Sequence, residues 1–261
     1  MPKGRHGLQS RVGPSLRSPP GRPVAKLQPP HPWPASEAGL RRLQLTLGED
    51  RPPPWSPFEW PPRAGACFVC FGRGGSGPGR RGDQGWSAAV SANRTGQRQE
   101  SVVTGRAPAP YVPGLLAWRE GALLERAVRA LPELPEVLIV NATGRDHPRR
   151  CGLAFHLGAR LGIPSVGVTH RPLAADGPWP AGGKGATSPL ILDGESVGQW
   201  LRTTDRTRPL AVHAGWRTSP ETAVRVVRSV TVRYRTPQPL REARRLAREA
   251  RAEAEKTRRA G

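Results

Sequence analysis

Val137-Leu138-Ile139-Val140-Asn141-Ala142-Thr143-Gly144-Arg145-Asp146-His147-Pro148, running on through a helical pattern to Leu161 and then into Ile163-Pro164-Ser165-Val166-Gly167-Val168-Thr169, is the stretch on which the fold turns. Val137 to Val140 contains no polar residue, the mark of a strand covered on both faces, and Ile163 to Thr169 is a second run of that kind. Between them, Pro148 to Leu161 reads as a helix with proline near its first turn. Helix alternating with buried strand is the order of an α/β protein.

Working outward toward the N-terminus, Leu115 to Leu131 places Leu116, Leu123, Leu124, Ala127, Val128 and Leu131 at helical spacing. Before it lie three strand-like runs, Gly65 to Phe71, Trp86 to Ala92 and Glu100 to Thr104, with glycine-rich or polar stretches between them, as a β-meander needs. Toward the C-terminus, two further strands, Leu190 to Asp193 and Leu210 to Ala214, and a helix from Pro220 to about Val230 extend the pattern. Three antiparallel strands followed by alternating helix and strand predict a ribonuclease H-like mixed α/β sheet flanked by helices. Ser36-Glu37-Ala38 opens a short helix carrying Leu40, Leu43 and Leu45, and a Pro/Trp-rich connector follows from Arg51 to Arg63. The domain is expected over residues 36–238.

The two ends differ from the middle. Residues 1–35 hold six Lys/Arg, no Asp or Glu and nine Pro, and they bury too little apolar surface to offset the entropy of ordering. They are predicted to be a disordered basic tail, either a polyanion-binding arm or an upstream extension. Residues 239–261 form an Arg/Glu/Ala helix whose charges at i,i+4 steps suit a solvated surface. Across 261 residues, 41 Lys and Arg against 20 Asp and Glu leave a net charge of +21. GC-rich coding alone produces such an Arg-heavy usage, yet the charge still attracts polyanions by counterion release. No apolar run approaches the roughly 20 residues of a spanning helix, so no membrane role is expected. Three cysteines, an odd number in a chain without a secretory signal, point to the reducing cytoplasm.

Two segments carry a specific resemblance. Pro110-Tyr111-Val112-Pro113-Gly114-Leu115-Leu116-Ala117-Trp118-Arg119-Glu120 and Val140-Asn141-Ala142-Thr143-Gly144-Arg145-Asp146-His147-Pro148-Arg149-Arg150-Cys151-Gly152 resemble the PYIPGxLxFRE and VDGxGxxHPRxxG blocks of the endonuclease V family. Ile163 to His170 is similar to that family's IPTIGVAK, and Arg233-Tyr234-Arg235-Thr236-Pro237 continues the likeness, which covers roughly Ser36 to Arg248. The protein is expected to be a monomer, and the resemblance implies a ribonuclease H-like fold that recognises a deaminated purine, chiefly inosine, in DNA or in RNA. It also implies cleavage of the second phosphodiester 3′ to that base with Mg²⁺. In the family, two Asp, one Glu and a supporting His serve this chemistry, because hard cations need carboxylate oxygens.

Carried over residue by residue, the resemblance keeps Glu120 but puts Cys67, Asn141 and Trp216 where the first-strand Asp, the second Asp and the late His would stand, and His170 where the family has Lys. An amide carbonyl lacks the charge of a carboxylate, and a thiol is a soft ligand, so Mg²⁺ binding through Glu120, Asn141 and Cys67 is expected to be impaired. The catalytic candidates are accordingly Glu120, Asn141, Cys67 and His147, with Asp146 as a carboxylate that would compensate if it faced the site. His170 and His213 are further candidates for a site role. Trp216 either stacks on a base or fills a gap. Cys67-x-x-Cys70 is not read as a zinc pair, since residues three apart on a strand face opposite ways. The binding apparatus is fuller: Tyr111 and Pro113 belong to the strand-parting wedge, Gly114, Leu116, Gly144 and Leu153 to the base pocket, and Arg149 and Arg150 to a phosphate site opening a helix. Ala142, in place of a glycine, would crowd the base. Three readings follow: a nucleic-acid-binding member with weak or no cleavage, an active enzyme using Glu120, Asp146 and His147, or a scaffold turned to an unrelated interaction.

Overall fold

The structure, a computed structural model, describes residues 32–73, 77–92 and 95–260, the side chains of residues 259 and 260 excepted. Along the chain come α1 (Glu37–Glu49), β1 (Ala64–Phe71), β2 (Gln84–Ala92), β3 (Arg98–Arg106), α2 (Leu116–Arg129), β4 (Val137–Val140), α3 (Leu153–Leu161), β5 (Ser165–Thr169), β6 (Thr187–Leu192), β7 (Glu195–Leu201), β8 (Leu210–Ala214), α4 (Pro220–Ser229) and α5 (Gln238–Ala260). The strands form one mixed sheet in the order β3-β2-β1-β4-β5-β8-β7-β6. The central trio β1, β4 and β5 is parallel, and the strands outside it pair antiparallel. This is the ribonuclease H-like architecture that the element order predicts.

The run Val137 to Val140 behaves as its composition requires. Leu138 and Val140 pack into the core shared with α2 and α3, while Val137 and Ile139 pack into the opposite core with α4 and Leu240 of α5. All four are at most 1% exposed, so a polar substitution on either face would be buried without water. The same alternation separates Cys67, on the α2 side, from Cys70, which lies against Ala247 of α5. The cysteines are free and buried, and Cys67 and Cys70 do not converge on a common ligand. Ser36 caps α1 by accepting from the Gly39 N–H at 3.1 Å, as its position before the helix suggests.

Four expectations change. Strand β7 was not anticipated as a strand; its hairpin with β6 turns at Asp193-Gly194, both with positive φ (48° and 79°), the signature of a two-residue primed turn. Helix α3 begins at Leu153, not Pro148, because residues 145–151 form tight turns and Arg150 adopts a left-handed φ of 53°. His147 to Arg150 therefore precede the helix and do not form its first turn. Helix α5 is no detached solvated helix: Leu240, Ala243 and Ala247 are fully buried, and it packs across β1 and β2. Finally, the predicted tail falls mostly outside the described residues, but Trp33 does pack. Its ring stacks on His156 at 4.6 Å and its indole N–H donates to Glu125.

Candidate nucleic-acid site

The tightest feature near the end of β4 is a single carbonyl. Val112, Pro113 and Gly114 turn the chain into α2, with Leu115 N–H donating to Val112 at 2.9 Å and Gly114 at a φ of +74° that favours glycine. The Gly114 carbonyl then accepts from Gln44 Nε2 (3.2 Å), His147 Nε2 (2.9 Å) and Arg149 Nη2 (3.0 Å). Arg149 also donates to Gln44 Oε1 at 2.7 Å. His147 accepts the Arg149 backbone N–H at Nδ1 (3.1 Å), so its proton sits on Nε2 and the ring is neutral. Burial pushes its pKa down to about 4, and the contact with Gly114 only partly offsets this.

This knot ties α1, the turn before α2 and the loop after β4 into the wall of a cavity of about 170 Å³. Gln44, Tyr111, Gly114, Leu116, Ala117, Asn141, Ala142, Thr143, His147, Gly152, Leu153, Thr169 and Leu173 line it. Pockets for drug-sized ligands run to roughly 300–1,000 Å³, so this one suits a single ring system. Two glycines hold the loop close: a Cβ on Gly144 would lie 2.0 Å from the Ala214 carbonyl oxygen, and one on Gly152 would lie 2.4 Å from that of Thr143. Gly144 thus sits under the loop and not on the cavity wall. Tyr111 and Pro113 stand exposed at its lip. Arg149 faces inward to the knot, while Arg150 is taken up by Leu192 O (2.9 Å), Asp193 (3.1 Å) and Glu195 (3.5 Å) of the β6–β7 hairpin.

Beside the cavity lies the rim where the resemblance implies a metal. Register places Cys67 opposite Val140, immediately before exposed Asn141, and Glu120 looks toward it from α2. Cys67 is fully buried; burial, reinforced by the Glu120 charge, raises its pKa well above the usual thiol range. Glu120 makes no hydrogen bond or ion pair among the described residues, and burial pushes its pKa up to about 7 against the pull of Arg119. Asp146 does not compensate. It is fully buried and accepts the backbone N–H groups of Leu173 (2.7 Å), Ala174 (2.8 Å) and Ala175 (2.7 Å), with His213 Nδ1 3.3 Å away. Burial holds His213 down to about 4, and its Nε2 meets Thr169 Oγ1 at 2.8 Å. Trp216 fills space: it meets Phe155 edge-on at 5.4 Å in a cluster with Leu47 and Cys151. His170, exposed at the end of β5, faces Arg235 Nη1 at 3.1 Å.

These donors do not fit a Mg²⁺ site. A neutral buried thiol, an amide oxygen and one carboxylate that takes up a proton near neutrality supply neither the oxygens nor the charge. Among the described residues, no group of three or more His, Cys, Asp or Glu is placed to hold a metal ion, and no helix is long and apolar enough to cross a membrane. Gln44 is the cavity-side residue that sequence reading missed. Its signal was a polar side chain on the stripe Leu40, Gln44, Leu47, where only a specific partner makes burial tolerable.

The fold and the sequence motifs are shared with known proteins. The profile of the family described as Endonuclease V matches residues 79–245. The chain is 39% identical to Endonuclease V of Alkalilimnicola ehrlichii over 217 residues, 83% of this chain and 93% of that one. The crystal structure of Endonuclease V from Streptomyces avermitilis superposes with a TM-score of 0.74 at 33% identity, covering 85% of this chain and 96% of that one. Endonuclease V from Ciona intestinalis, solved in complex with a 24-mer DNA containing an inosine followed by a ribo-adenosine, shares the fold at a TM-score of 0.70 and 20% identity, covering 83% and 98%. With a profile spanning well over half its length and a relative matched almost end to end, this chain belongs to the endonuclease V family.

Proposed function

We propose that the protein binds nucleic acid at a deaminated base, inosine foremost, and that its metal-dependent cleavage is weak or lost. It would act as a monomer in the cytoplasm on DNA, with RNA as a second substrate class to be tested. The base enters the cavity behind Gly114, with Tyr111 and Pro113 parting the strand at the lip. A cavity sized for one ring system supports the binding half, as does the inosine-containing DNA held by the Ciona relative of the same fold. Family nucleases use a divalent cation to activate water and to offset developing charge; here one carboxylate is left where three stood. The observation that carries the reading is the set Cys67, Asn141 and Glu120, with Asp146 committed to three backbone N–H groups.

The test pairs binding with cutting. Labelled DNA and RNA oligonucleotides with and without one inosine are titrated with protein and, separately, incubated with Mg²⁺ or Mn²⁺. The expected result is tighter binding of the inosine strand and no cleavage product. Efficient cutting abolished by Glu120→Ala would establish the enzyme reading, and equal affinity for every strand would favour an unrelated interaction role.

A further inference from the structure

The rim has lost negative charge, yet positive charge has been brought to it. Arg244 of α5, 103 residues further along the chain, reaches Asn141 with Nη2 3.4 Å from Oδ1. Its guanidinium lies 5.2 Å from the Phe68 ring centre, and its Nε is buried with no hydrogen-bond partner. Arg241 and Arg248 stand one turn to either side, Arg245 follows directly, and the four line a surface groove of about 430 Å³. The one acid of that groove, Glu249, is already paired with Arg245 at 2.6 Å. Among the described residues Arg241, Arg244 and Arg248 form no ion pair, although their spacing sets like charges on one helix face, an arrangement that repels itself. Burial first, and then the charges of Arg248 and Arg241, lower the Arg244 pKa. Unpaired cations gathered at one place are stabilised by an anion from outside the chain.

We infer that Arg244, flanked by Arg241 and Arg248, takes the place that the resemblance gives to a divalent cation: it holds a backbone phosphate of the strand whose base occupies the cavity, so that binding requires no metal. The inference rests on the proposed nucleic-acid binding and extends it to a surface on α5. Substituting the Asp by Asn141 is then consistent with the neighbouring cation, since the amide oxygen accepts from a guanidinium without adding a charge that would compete with phosphate.

Fluorescence anisotropy with the full chain and an oligonucleotide carrying one inosine tests this. Affinity in EDTA should equal that in Mg²⁺ within about twofold, as expected when phosphate contacts are made by arginine. Arg244→Gln should weaken binding by roughly tenfold at low salt and reduce the slope of log Kd against log salt by about 1. Arg244→Lys should recover part of the loss. Arg225→Gln, an exposed arginine of α4 stacked on Trp60, serves as the equal-charge control and should change affinity by less than about twofold. If Arg244→Gln lowers Tm, exposed Arg248→Gln carries the same reading without touching the core. A requirement for Mg²⁺, or a folded Arg244→Gln protein that matches Arg225→Gln, overturns this inference and leaves the functional reading standing. Absence of binding by the unaltered protein at low salt overturns both.

Discussion

The cavity and the rim beside it share a wall at Asn141 but are built on different physics. The cavity is held by shape: a thrice-bonded carbonyl at Gly114, close glycine approaches at Gly144 and Gly152, and polar groups that satisfy each other. Removing any one part strains the rest. A metal-binding rim depends on charge, and charge can be removed at small steric cost, since Asn replaces Asp nearly isosterically and a buried Cys packs as a small hydrophobe. None of the hydrogen bonds of that framework runs through Cys67 or Glu120, although the Cys67 side chain packs in the core that includes Ala142 and Leu153. The hydrogen bonds that shape the cavity are therefore separate from the charges at the rim.

The largest expected effect tests whether the cavity is still competent. The double variant Cys67→Asp with Asn141→Asp returns two carboxylates to the rim beside Glu120. Cleavage of inosine DNA with Mn²⁺ should rise at least about 10²-fold, since single electrostatic groups in catalytic sites carry effects of that order. Without metal, the same variant should melt lower, because Cys67 is fully buried and a carboxyl there is desolvated next to Glu120. Persistent inactivity in a folded, DNA-binding variant would show that the cavity too has changed, with Ala142 the first position to revert.

Next in size is a break in the framework behind the cavity. Arg160 donates to both oxygens of Glu125 (2.9 and 2.8 Å), and both residues are buried. Burial alone would raise the Glu125 pKa, but hydrogen bonds from Arg160, Arg129 and Trp33 outweigh it and hold the carboxyl below its ordinary range. Arg160→Ala should cost about 3–5 kcal/mol by leaving that charge unpaired, read as a fall in Tm on the order of 10 °C. A smaller loss than that of Glu120→Ala would contradict the division between framework and rim.

His147→Ala removes two bonds of the knot and should cost about 1–3 kcal/mol with weakened inosine preference. It should also change the acid limb of stability. His147 and His213 titrate near 4 in the fold and near 6.5 when unfolded, so between those values the unfolded chain binds more protons and stability falls as pH falls. Each contributes at most about 1.4 kcal/mol per pH unit there, and the variant should lose one such contribution. An unchanged pH profile would mean His147 is not buried in its neutral form. The smallest effect separates two truncations. Deleting residues 1–31 should shift Tm by less than about 1 °C, whereas deleting residues 1–35 takes Trp33 from Glu125 and His156 and should lower it by several degrees.

Much of this molecule was written in local pattern. The unbroken apolar run Val137 to Val140 fixed a doubly covered strand, Ser36 a helix start, and the spacing of Leu116, Leu123, Leu124, Ala127 and Val128 an amphipathic helix, because burial face and capping are decided within a few residues. The Asp193-Gly194 turn that joins β6 to β7 is likewise a local signal, two residues of positive φ between strands. The order of motifs also carried the family. What the sequence could not decide was which polar groups would meet. Asp146, four residues past Ala142, faces away into three backbone N–H groups; Arg150 turns to a hairpin over forty residues on; and Gln44 and Arg244 arrive at the site from opposite ends of the chain. Those partnerships depend on sheet order, on α5 packing across β1 and β2, and on α1 meeting the loop after β4. Hydrogen bonds and charges act over a few ångströms in space, and separation along the chain does not reveal that distance.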